Sequence, residues 1–344
     1  MAKGAYIGID SLARKVKKCY IGIDGVARKV KKAYIGVDGV ARLFWNSKYT
    51  TASVTSSTLP TGYTFYNSGT DVAVPYNGNS NILEIFTGIL PYNSKSYLYN
   101  ISENTLTESS KTASINLLAY DGFASTDGYL YFINSSLTTV YKLKQSDFSI
   151  VSSATISVSS SYSLIPKATV ELGDYVYYFL GYSYNSSYRT YLYALNKNTL
   201  EFSQLSTDYA TLANYSYAGA VVKDGYIYYF NTYTSSGTIY LYCYKYDTSG
   251  NKSTAFALYD NPFGSGYNLT RVMQLDDVTY LFAGNVSTQA SKIYKVDYTT
   301  NTISLFKELS TPCYTDTWLD NGSGTVISTY ESSATGNFTK LTFE

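Results

Sequence analysis

The hydrophobic and polar positions of residues 49–344 follow a pattern that recurs six times: a polar turn, then a run of aromatic and aliphatic residues, as in "DGYLYFIN" and "DGYIYYFN". The turn residues are separated by 50, 47, 50, 52 and 45 positions. They are Asn77, Asp127, Asp174, Asp224, Asp276 and Asn321. Asn-Gly and Asp-Gly tolerate positive φ, so they favour a tight two-residue hairpin turn. The pattern therefore predicts six strand-turn-strand repeats.

A second signature follows each of the first five turns and consists of a tyrosine, an apolar residue two positions later and then a polar turn. The tyrosines are Tyr99, Tyr141, Tyr193, Tyr244 and Tyr294. This signature predicts a third strand, a turn and a fourth strand in each repeat. Repeats of this length with four antiparallel strands are typical of β-propellers, so we predict an all-β chain with a six-bladed β-propeller. Runs such as "YVYYFL" need not alternate, because stacked blades cover both faces of a strand.

The final repeat ends at "FTKLTFE", which has the pattern of a third strand. The segment "YTTASVTSS" at 49–57 resembles the outer-strand segments of other repeats, such as "ESSKTASIN". We therefore expect residues 49–57 to supply the fourth strand of the last blade. This pairing would close the ring and remove an open sheet edge.

Residues 1–48 follow a different pattern, a 14-residue repeat that occurs three times and alternates as strands do. The three copies are marked by Tyr6, Tyr20 and Tyr34. The predicted hairpin turns are Asp10-Ser11, Asp24-Gly25 and Asp38-Gly39. We therefore divide the chain into a small β-hairpin repeat arm at 1–48 and the propeller at 49–344. Hairpins this short bury little by themselves, so the arm needs a partner.

The formal net charge of +1 hides an uneven distribution. Residues 1–48 contain eleven Lys or Arg and three Asp, a formal charge of +8, which leaves 15 basic and 22 acidic residues, or −7, in the rest. A basic arm suits either nucleic acid phosphates or an acidic protein surface. The cations alternate with a strand pattern, so we favour protein docking over nucleic acid. The docking candidates are Tyr6, Arg14, Tyr20, Arg28, Lys29, Tyr34, Arg42 and Trp45.

Tyrosine is the most unusual component of the composition, with 41 residues. In a propeller, the loops between second and third strands and the loops between blades share one end of the ring. Here these loops place aromatic residues among Asn, Ser and Gly, which suits contacts with sugars or proteins. The alternative is a tyrosine-rich chain whose loop tyrosines have no ligand. The candidate ligand-binding residues are Tyr92, Tyr182, Tyr184, Tyr188, Tyr215, Tyr233, Phe263 and Tyr267.

The chain contains no histidine, which excludes Ser-His-Asp and Cys-His nucleophile systems and histidine-ligated metals. Its three cysteines are too scattered for a disulfide framework or a zinc site. The spacing of the acidic residues does not exclude a carboxylate pair for glycoside cleavage. Most acidic residues, however, fall in the repeated turns. "DNGSGT" at 320–325 weakly resembles a calcium-binding loop in composition, but it lies at the tight turn of the sixth blade. We expect no enzyme activity, no metal and no cofactor.

No apolar stretch approaches the ~18 residues that a membrane span needs. The first 18 residues are interrupted by charges, unlike a secretory signal. We therefore expect no membrane insertion and no export signal.

The propeller repeats resemble those of kelch-type propellers in repeat length, in the Asp-Gly turn before an aromatic strand and in a third strand of the form Y-x-hydrophobic-D-x-x-T. They lack the Gly-Gly doublet after the aromatic strand and the tryptophan at the end of each kelch repeat. The resemblance therefore implies an architecture and not a function.

The phrase "KKAYIGVDGVARLFW", within the repeats at 5–45, is similar to one found near the start of structural and tail-associated proteins of phages and prophages of Gram-positive bacteria. The resemblance implies a virion protein made in the host cytoplasm and present in several copies. Its arm would dock on other virion proteins, and its propeller would act as a tail or baseplate component in adhesion to host-surface carbohydrate or protein. Two alternatives stay open: a decoration protein of the capsid or tail tube without a specific ligand, and a tail-associated glycan-processing enzyme.

Overall fold

In this computed structural model, residues 6–344 are described apart from several short segments. Those segments are 10–11, 16–19, 24–25, 30–31, 38–39, 47–48, 50, 59, 62–63, 66–72, 78, 87–88, 91–94, 116–119, 135, 159–164, 185–186, 207–209, 213–217, 276, 286, 289, 310–317, 321–323 and 329–336. Every regular element among the described residues is a β-strand. The chain divides into two compact units, Met1–Thr50 with Asp276–Val278, and Thr51–Leu275 with Thr279–Glu344.

The first unit contains three β-hairpins, as the 14-residue repeat predicts. Their strands are β1 (Tyr6–Ile9), β2 (Leu12–Lys15), β3 (Tyr20–Ile23), β4 (Val26–Lys29), β5 (Lys32–Val37) and β6 (Val40–Asn46). Two residues separate the paired ends of each hairpin. The residues between these ends, 10–11, 24–25 and 38–39, are the positions for which the sequence predicts turns, and they lie outside the described residues. The third hairpin has longer strands and a register shift between Ala33 and Tyr34.

The second unit is a six-bladed β-propeller, as predicted. Its strands are β7 (Ala52–Thr58), β8 (Thr64–Phe65), β9 (Ala73–Tyr76), β10 (Asn79–Ile85), β11 (Ile89–Leu90), β12 (Lys95–Asn100), β13 (Thr105–Thr112), β14 (Tyr120–Ala124), β15 (Tyr129–Asn134), β16 (Thr139–Lys144), β17 (Ile150–Thr155), β18 (Ile165–Leu172), β19 (Tyr175–Tyr184), β20 (Ser187–Asn196), β21 (Phe202–Gln204), β22 (Ala210–Leu212), β23 (Ala218–Lys223), β24 (Tyr226–Ser235), β25 (Thr238–Tyr246), β26 (Lys252–Leu258), β27 (Tyr267–Leu275), β28 (Val278–Asn285), β29 (Ser291–Asp297), β30 (Thr302–Leu309), β31 (Trp318–Asp320), β32 (Thr325–Ser328) and β33 (Asn337–Phe343).

Each blade is an antiparallel path of four strands in chain order from the inner strand outward, except for the last. The blades are β9-β10-β12-β13, β14 to β17, β18 to β21, β23 to β26, β27 to β30, and β31-β32-β33-β7, numbered 1 to 6. Blade 3 has an additional strand, β22, that pairs with β20. A separate short pair joins β8 to β11.

The ring is closed by a strand from the beginning of the second unit, as predicted from the segment 49–57. β7 pairs with β33 along its length, from Ala52 opposite Phe343 to Thr58 opposite Asn337. Reciprocal backbone hydrogen bonds between Thr51 and Glu344 (3.2 and 2.8 Å) extend the ladder by one residue. Both edges of β33 are therefore paired, which removes the open edge.

The turns between first and second strands vary more than the sequence predicts. Asp224 and Gly225, with φ of 51° and 78°, form the expected two-residue turn in blade 4. In blade 2 the ladder continues through a hydrogen bond from Ser125 N to Tyr129 O (2.9 Å), so the turn has three residues and ends at Gly128 with φ of 85°. The two turns differ in length because the last paired residues directly flank Asp224-Gly225 in blade 4, whereas in blade 2 three residues lie between them. Both turns use glycine at positive φ.

The turns between third and fourth strands share one hydrogen-bonding scheme in blades 3, 4 and 5. A side-chain oxygen of Asn196, Asp247 or Asp297 accepts hydrogen bonds from backbone N–H groups two to four residues later, at 2.8–3.3 Å. Such turns are typical of Asn and Asp. The backbone N–H donors hold the pKa of Asp297 below its usual range, and the same holds for Asp247, whose main donor is Asn251. These acidic residues therefore have a structural role, as the sequence pattern indicates.

The hydrophobic core is distributed between neighbouring blades, and tyrosine is a major part of it. Between blades 2 and 3, Tyr131, Tyr178 and Leu195 belong to one buried cluster. The Tyr131 hydroxyl donates to Asp127 Oδ2 at 2.9 Å, so the ring packs in the core while the hydroxyl reaches a turn. Tyrosine can serve in a blade face because it combines a large apolar ring with a polar tip.

Candidate functional site

Alternation of strand direction places the loops of the propeller at two ends of the ring. The turns between first and second strands and between third and fourth strands share one end, called here the turn end. The connections between second and third strands and those between blades share the other, called the loop end. The candidate ligand residues predicted from the sequence belong to the loop end.

Blade 4 carries a row of tyrosines near the loop end. Tyr240, Tyr242 and Tyr244 alternate along β25 with Leu241 and Cys243, which are fully buried. Because strand residues two apart share a face, the three tyrosines lie on one side of the blade. β24 adds Tyr233, which pairs with Tyr240, and the segment after β26 adds Tyr259. We call Tyr233, Tyr240, Tyr242, Tyr244 and Tyr259 the tyrosine cluster.

Ring contacts connect the members of the tyrosine cluster. The ring of Tyr259 meets Tyr240 at 5.6 Å between centroids and Tyr242 at 6.4 Å, with interplanar angles of 74° and 89°. Tyr240 also contacts Tyr233 at 6.1 Å, and Tyr242 stacks on Tyr244 at 6.0 Å. Tyr259 is 57% exposed, so the cluster reaches the solvent.

The phenol groups of the cluster also influence one another electrostatically. Burial raises the pKa of Tyr242, and the nearby hydroxyls of Tyr259, Tyr240 and Tyr233 raise it further. Burial likewise raises the pKa of Tyr244, with contributions from Tyr242 and Tyr259. Burial therefore favours the uncharged form of Tyr242 and Tyr244.

The loop that presents Tyr259 is fixed on both sides. Asn261 donates its backbone N–H to Ile239 O and accepts the Ile239 N–H on its side-chain oxygen, each at 2.9 Å. Phe263 is 1% exposed, its ring packs against Tyr294 at 5.3 Å, and its carbonyl accepts the Tyr294 hydroxyl at 2.9 Å. These bonds hold the loop against β25 and anchor it in the core between blades 4 and 5.

The same loop contains two adjacent residues in the left-handed region. Asp260 and Asn261 have φ of 61° and 57°. Asn and Asp adopt this conformation more readily than most residues, but two in succession still store conformational strain. Strained segments of this kind cluster at ligand-binding positions. The exposed carboxylate of Asp260 stands directly beside Tyr259 in the chain.

The structure distributes the eight predicted ligand residues unevenly. Tyr233 is half-buried within the tyrosine cluster, and Tyr267 is half-buried with the Lys292 ammonium 4.4 Å from its ring centre. Phe263 corrects the sequence interpretation, because its ring is in the core and anchors the loop rather than facing a ligand. Tyr92 and Tyr215 lie outside the described residues.

The remaining three candidates are strand residues and not loop residues. Tyr182 and Tyr184 belong to β19, and Tyr188 belongs to β20. The two strands pair to their ends, with Tyr184 opposite Ser187, so backbone hydrogen bonding continues through the segment predicted as a loop. A long hairpin satisfies these backbone groups more completely than a loop does.

Sequence reasoning missed Tyr240, Tyr242 and Tyr259. The run "YLYCYKY" at 240–246 carries a signal, since it places a tyrosine at every second position of a predicted third strand. That alternation predicts a shared face but not its exposure, which depends on the neighbouring blade.

Two buried ion pairs join strands of the propeller. The Lys197 ammonium lies 2.5 Å from Glu171 Oε1, and this carboxylate also accepts from Ser125 Oγ (2.6 Å) and Thr126 N (2.9 Å) of blade 2. Lys111 binds both oxygens of Glu84 at 2.7 and 2.8 Å. Glu171 and Glu84 therefore have full sets of partners and serve blade packing.

The residues predicted to dock on virion proteins all lie on strands of the three hairpins. The register sets Arg14 opposite Ile7, Arg28 opposite Ile21 and Arg42 opposite Ile35. Tyr6 and Tyr20 stand opposite Lys15 and Lys29, whereas Tyr34 stands opposite Leu43. Trp45 pairs with Ala33 beyond the register shift. The pairing of each arginine with an isoleucine is thus repeated in all three copies.

The described residues contain neither a metal-binding cluster nor a membrane-spanning helix. No group of three or more His, Cys, Asp or Glu side chains suited to a metal ion occurs among them. Residues 321–323 of the "DNGSGT" segment are outside the described part of the chain. Among the described residues there is also no helix long and apolar enough to cross a membrane.

No protein-family model and no curated protein matches the chain. Among solved structures, a luciferin-regenerating enzyme is similar at 12% identity and a TM-score of 0.49, over 84% of this chain and 95% of the other. An oligogalacturonate lyase from Vibrio parahaemolyticus has 9% identity and a TM-score of 0.45, over 83% and 80%. The WD40 domain of SCAP from fission yeast has 10% identity and a TM-score of 0.39, over 77% and 57%.

These likenesses correct one prediction from the sequence, namely that the chain is not an enzyme. Two of the three similar structures are named as enzymes. At identities of 12% or less and TM-scores below 0.5, the likenesses assign no activity to this chain.

Proposed function

We propose that this chain is a structural protein of a phage virion, located at the tail or baseplate. In this proposal, residues 1–48 dock on other virion proteins, and the propeller is displayed for adhesion to the host cell surface. The protein is made in the bacterial host and is present in several copies on each particle. The resemblance of residues 5–45 to phage tail-associated proteins supports the virion assignment.

The observation that carries the proposal is the threefold hairpin of the arm. Three hairpins repeat the same arginine–isoleucine register and concentrate a formal charge of +8 in 48 residues. A repeated basic element of this kind suits a repeated acidic partner surface, such as an assembly of identical subunits offers. The loop end of the propeller supports adhesion, because it presents tyrosine rings that the core does not enclose.

The docking role is tested on particles induced from the strain that encodes the chain. Replacing Arg14, Arg28 and Arg42 by Glu should reduce the amount of full-length chain in purified particles by about tenfold, because the arm loses its charge complementarity. The matched control replaces the same residues by Lys, which keeps the charge and should retain most of the incorporation. Equal incorporation of the Glu and wild-type chains would contradict docking through the arm.

The position and the adhesion role are tested separately. Gold-labelled antibody against the propeller should mark the tail end of intact particles. Labelling along the capsid would instead support the decoration alternative. Purified fluorescent full-length chain should bind whole cells of the host bacterium, and failure to bind would refute adhesion. Shortening of purified host polysaccharide by the chain would support the glycan-processing alternative.

A further inference from the structure

We infer that the tyrosine cluster of blade 4 is a subsite for an uncharged sugar ring, with Tyr259 as the stacking platform and the Asp260 carboxylate as a hydroxyl acceptor. This inference rests on the proposed adhesion function and specifies the class of ligand and the residues that bind it. Four lines of observation support it: the shape of the cluster, its rigidity, its polar groups and its charge.

The rings of the cluster form a corner open to solvent. Tyr259 is 57% exposed, and the rings of Tyr240 and Tyr242 meet it nearly at right angles, at 74° and 89°. A pyranose has an apolar face of C–H groups that can stack on one ring and a rim that can contact the neighbouring rings. An aromatic platform supplies this contact with little loss of side-chain entropy.

The platform is held in place before any ligand arrives. The two hydrogen bonds between Asn261 and Ile239 fix the residue two positions after Tyr259, and the buried Phe263 anchors the following turn. Ordering a flexible loop would cost conformational entropy on binding. Here most of that ordering is complete in the free protein. The same contacts hold Asp260 and Asn261 in the left-handed region.

The polar groups match the hydroxyl-rich rim of a sugar. The rings of Tyr233, Tyr240, Tyr242 and Tyr259 are linked by centroid distances of 5.6–6.4 Å, so four phenol side chains lie close together. Phenol hydroxyls both donate and accept hydrogen bonds, and the Asp260 carboxylate accepts from two directions. Adaptable donors and acceptors around an aromatic platform suit a polyhydroxyl ligand.

The charge of the site favours a neutral glycan. The exposed carboxylate of Asp260 would repel a uronate or phosphate group. A neutral sugar has no such penalty and can donate its hydroxyls to the carboxylate. An acidic polysaccharide or a protein partner is therefore an alternative outcome of the test and not part of the inference.

Binding of the full-length chain to an array of neutral glycans identifies a neutral oligosaccharide, whose affinity is then measured by calorimetry. Tyr259→Ala should raise its Kd by about tenfold, the equivalent of about 1.4 kcal/mol, because the platform is lost. Tyr259→Phe keeps the ring and should change Kd by less than about threefold. The matched control is Tyr175→Ala, since Tyr175 is 40% exposed at the turn end of blade 3.

The effect of Asp260→Asn on affinity distinguishes a neutral ligand from an acidic one. Asn also tolerates the left-handed backbone at this position. The substitution should weaken a neutral oligosaccharide and should strengthen an acidic probe such as oligogalacturonate. Binding of acidic probes but of no neutral glycan on the array would overturn the inference. The same conclusion would follow if Tyr259→Ala bound the neutral glycan with the wild-type Kd while retaining the wild-type Tm.

The adhesion proposal and the subsite inference can fail independently. If the wild-type chain binds host cells and Tyr259→Ala binds them equally well, the inference is refuted and adhesion stands. If the wild-type chain binds no host cells but binds a purified neutral glycan through Tyr259, the subsite stands and the proposed adhesion is refuted.

Discussion

Two carboxylate–ammonium pairs are buried at boundaries between blades, and each ties its blade to a neighbour. Glu171 and Lys197 belong to blade 3, and the carboxylate also accepts hydrogen bonds from Ser125 and Thr126 of blade 2. The side chains of this pair are 11% and 10% exposed. Burial by itself would raise the pKa of Glu171, but the hydrogen bond from Lys197 and the two from blade 2 outweigh it and hold the pKa below its usual value.

Removal of the Lys197 ammonium should therefore leave a buried carboxylate without its counter-ion. We expect Lys197→Met to lower the free energy of unfolding at pH 7 by about 3 kcal/mol. Urea unfolding monitored by tyrosine fluorescence measures the change. The matched control is Lys144→Met, because Lys144 is exposed and its loss should have little effect.

The sign of the pH dependence follows from the lowered pKa of Glu171. A carboxyl whose pKa is lower in the folded state stabilises the protein above its unfolded value near 4.5, and this contribution is lost as pH falls through the folded pKa. The difference between wild type and Lys197→Met should therefore shrink as the pH falls below the unfolded value of 4.5. A constant difference from pH 7 to pH 3 would show that Lys197 acts through packing and not through its charge.

At the level of elements, the inner strands of neighbouring blades approach each other closely. β23 and β27 are the inner strands of blades 4 and 5, and a Cβ atom on Gly219 would lie 2.6 Å from the Cβ of Val272 and 3.0 Å from its backbone N. Real Cβ atoms do not approach so closely. Glycine is therefore required here by the close approach of two strands and not by a turn.

Gly219→Ala should force β23 and β27 apart. Since the nearest atoms include backbone, the strain cannot be relieved by a side-chain rotation alone, and we expect a loss of about 1–3 kcal/mol. The midpoint of urea unfolding, with an unchanged m-value, measures this loss. An unchanged midpoint would show that the inner strands can separate without cost.

At the level of the whole molecule, the closed ring depends on a pairing between distant parts of the chain. β7 completes blade 6, and Phe343 at the end of β33 packs against Tyr280 (4.8 Å) and Phe306 (5.7 Å) of blade 5. On the other side, the Asn104 side chain of blade 1 donates to Thr58 O at 3.2 Å. Blade 6 therefore contacts blade 5 through β33 and blade 1 through β7, which closes the ring.

Removal of residues 1–58 should open the ring, because β33 loses its outer partner and presents a free edge. We expect the Tm to fall by about 10 °C or more and the product to self-associate. Removal of residues 1–48 is the matched control, since it keeps β7 and should leave the Tm nearly unchanged. Calorimetry and analytical ultracentrifugation measure both effects, and equal Tm values for the two truncations would contradict closure by β7.

The fold could be predicted from the sequence in considerable detail, because its signals are local. Asp224-Gly225 marks a turn by its own backbone preference, and "YTTASVTSS" at 49–57 is recognised by its likeness to other outer strands. The residues of the candidate site could be predicted less well from the sequence. The sequence pattern predicts a loop at Tyr182, but β19 extends through it, because strand length depends on pairing with β20.

The sequence by itself determined the number of blades, their four-stranded plan, the closing segment and the separate basic arm, since periodicity and turn chemistry are properties of neighbouring residues. Only the tertiary structure decided which aromatic rings face solvent. Phe263 and Tyr259 lie four residues apart, yet one is 1% exposed and the other 57%. The difference arises because blade 5 covers the first ring and leaves the second open, and no local pattern records which neighbour a side chain will meet.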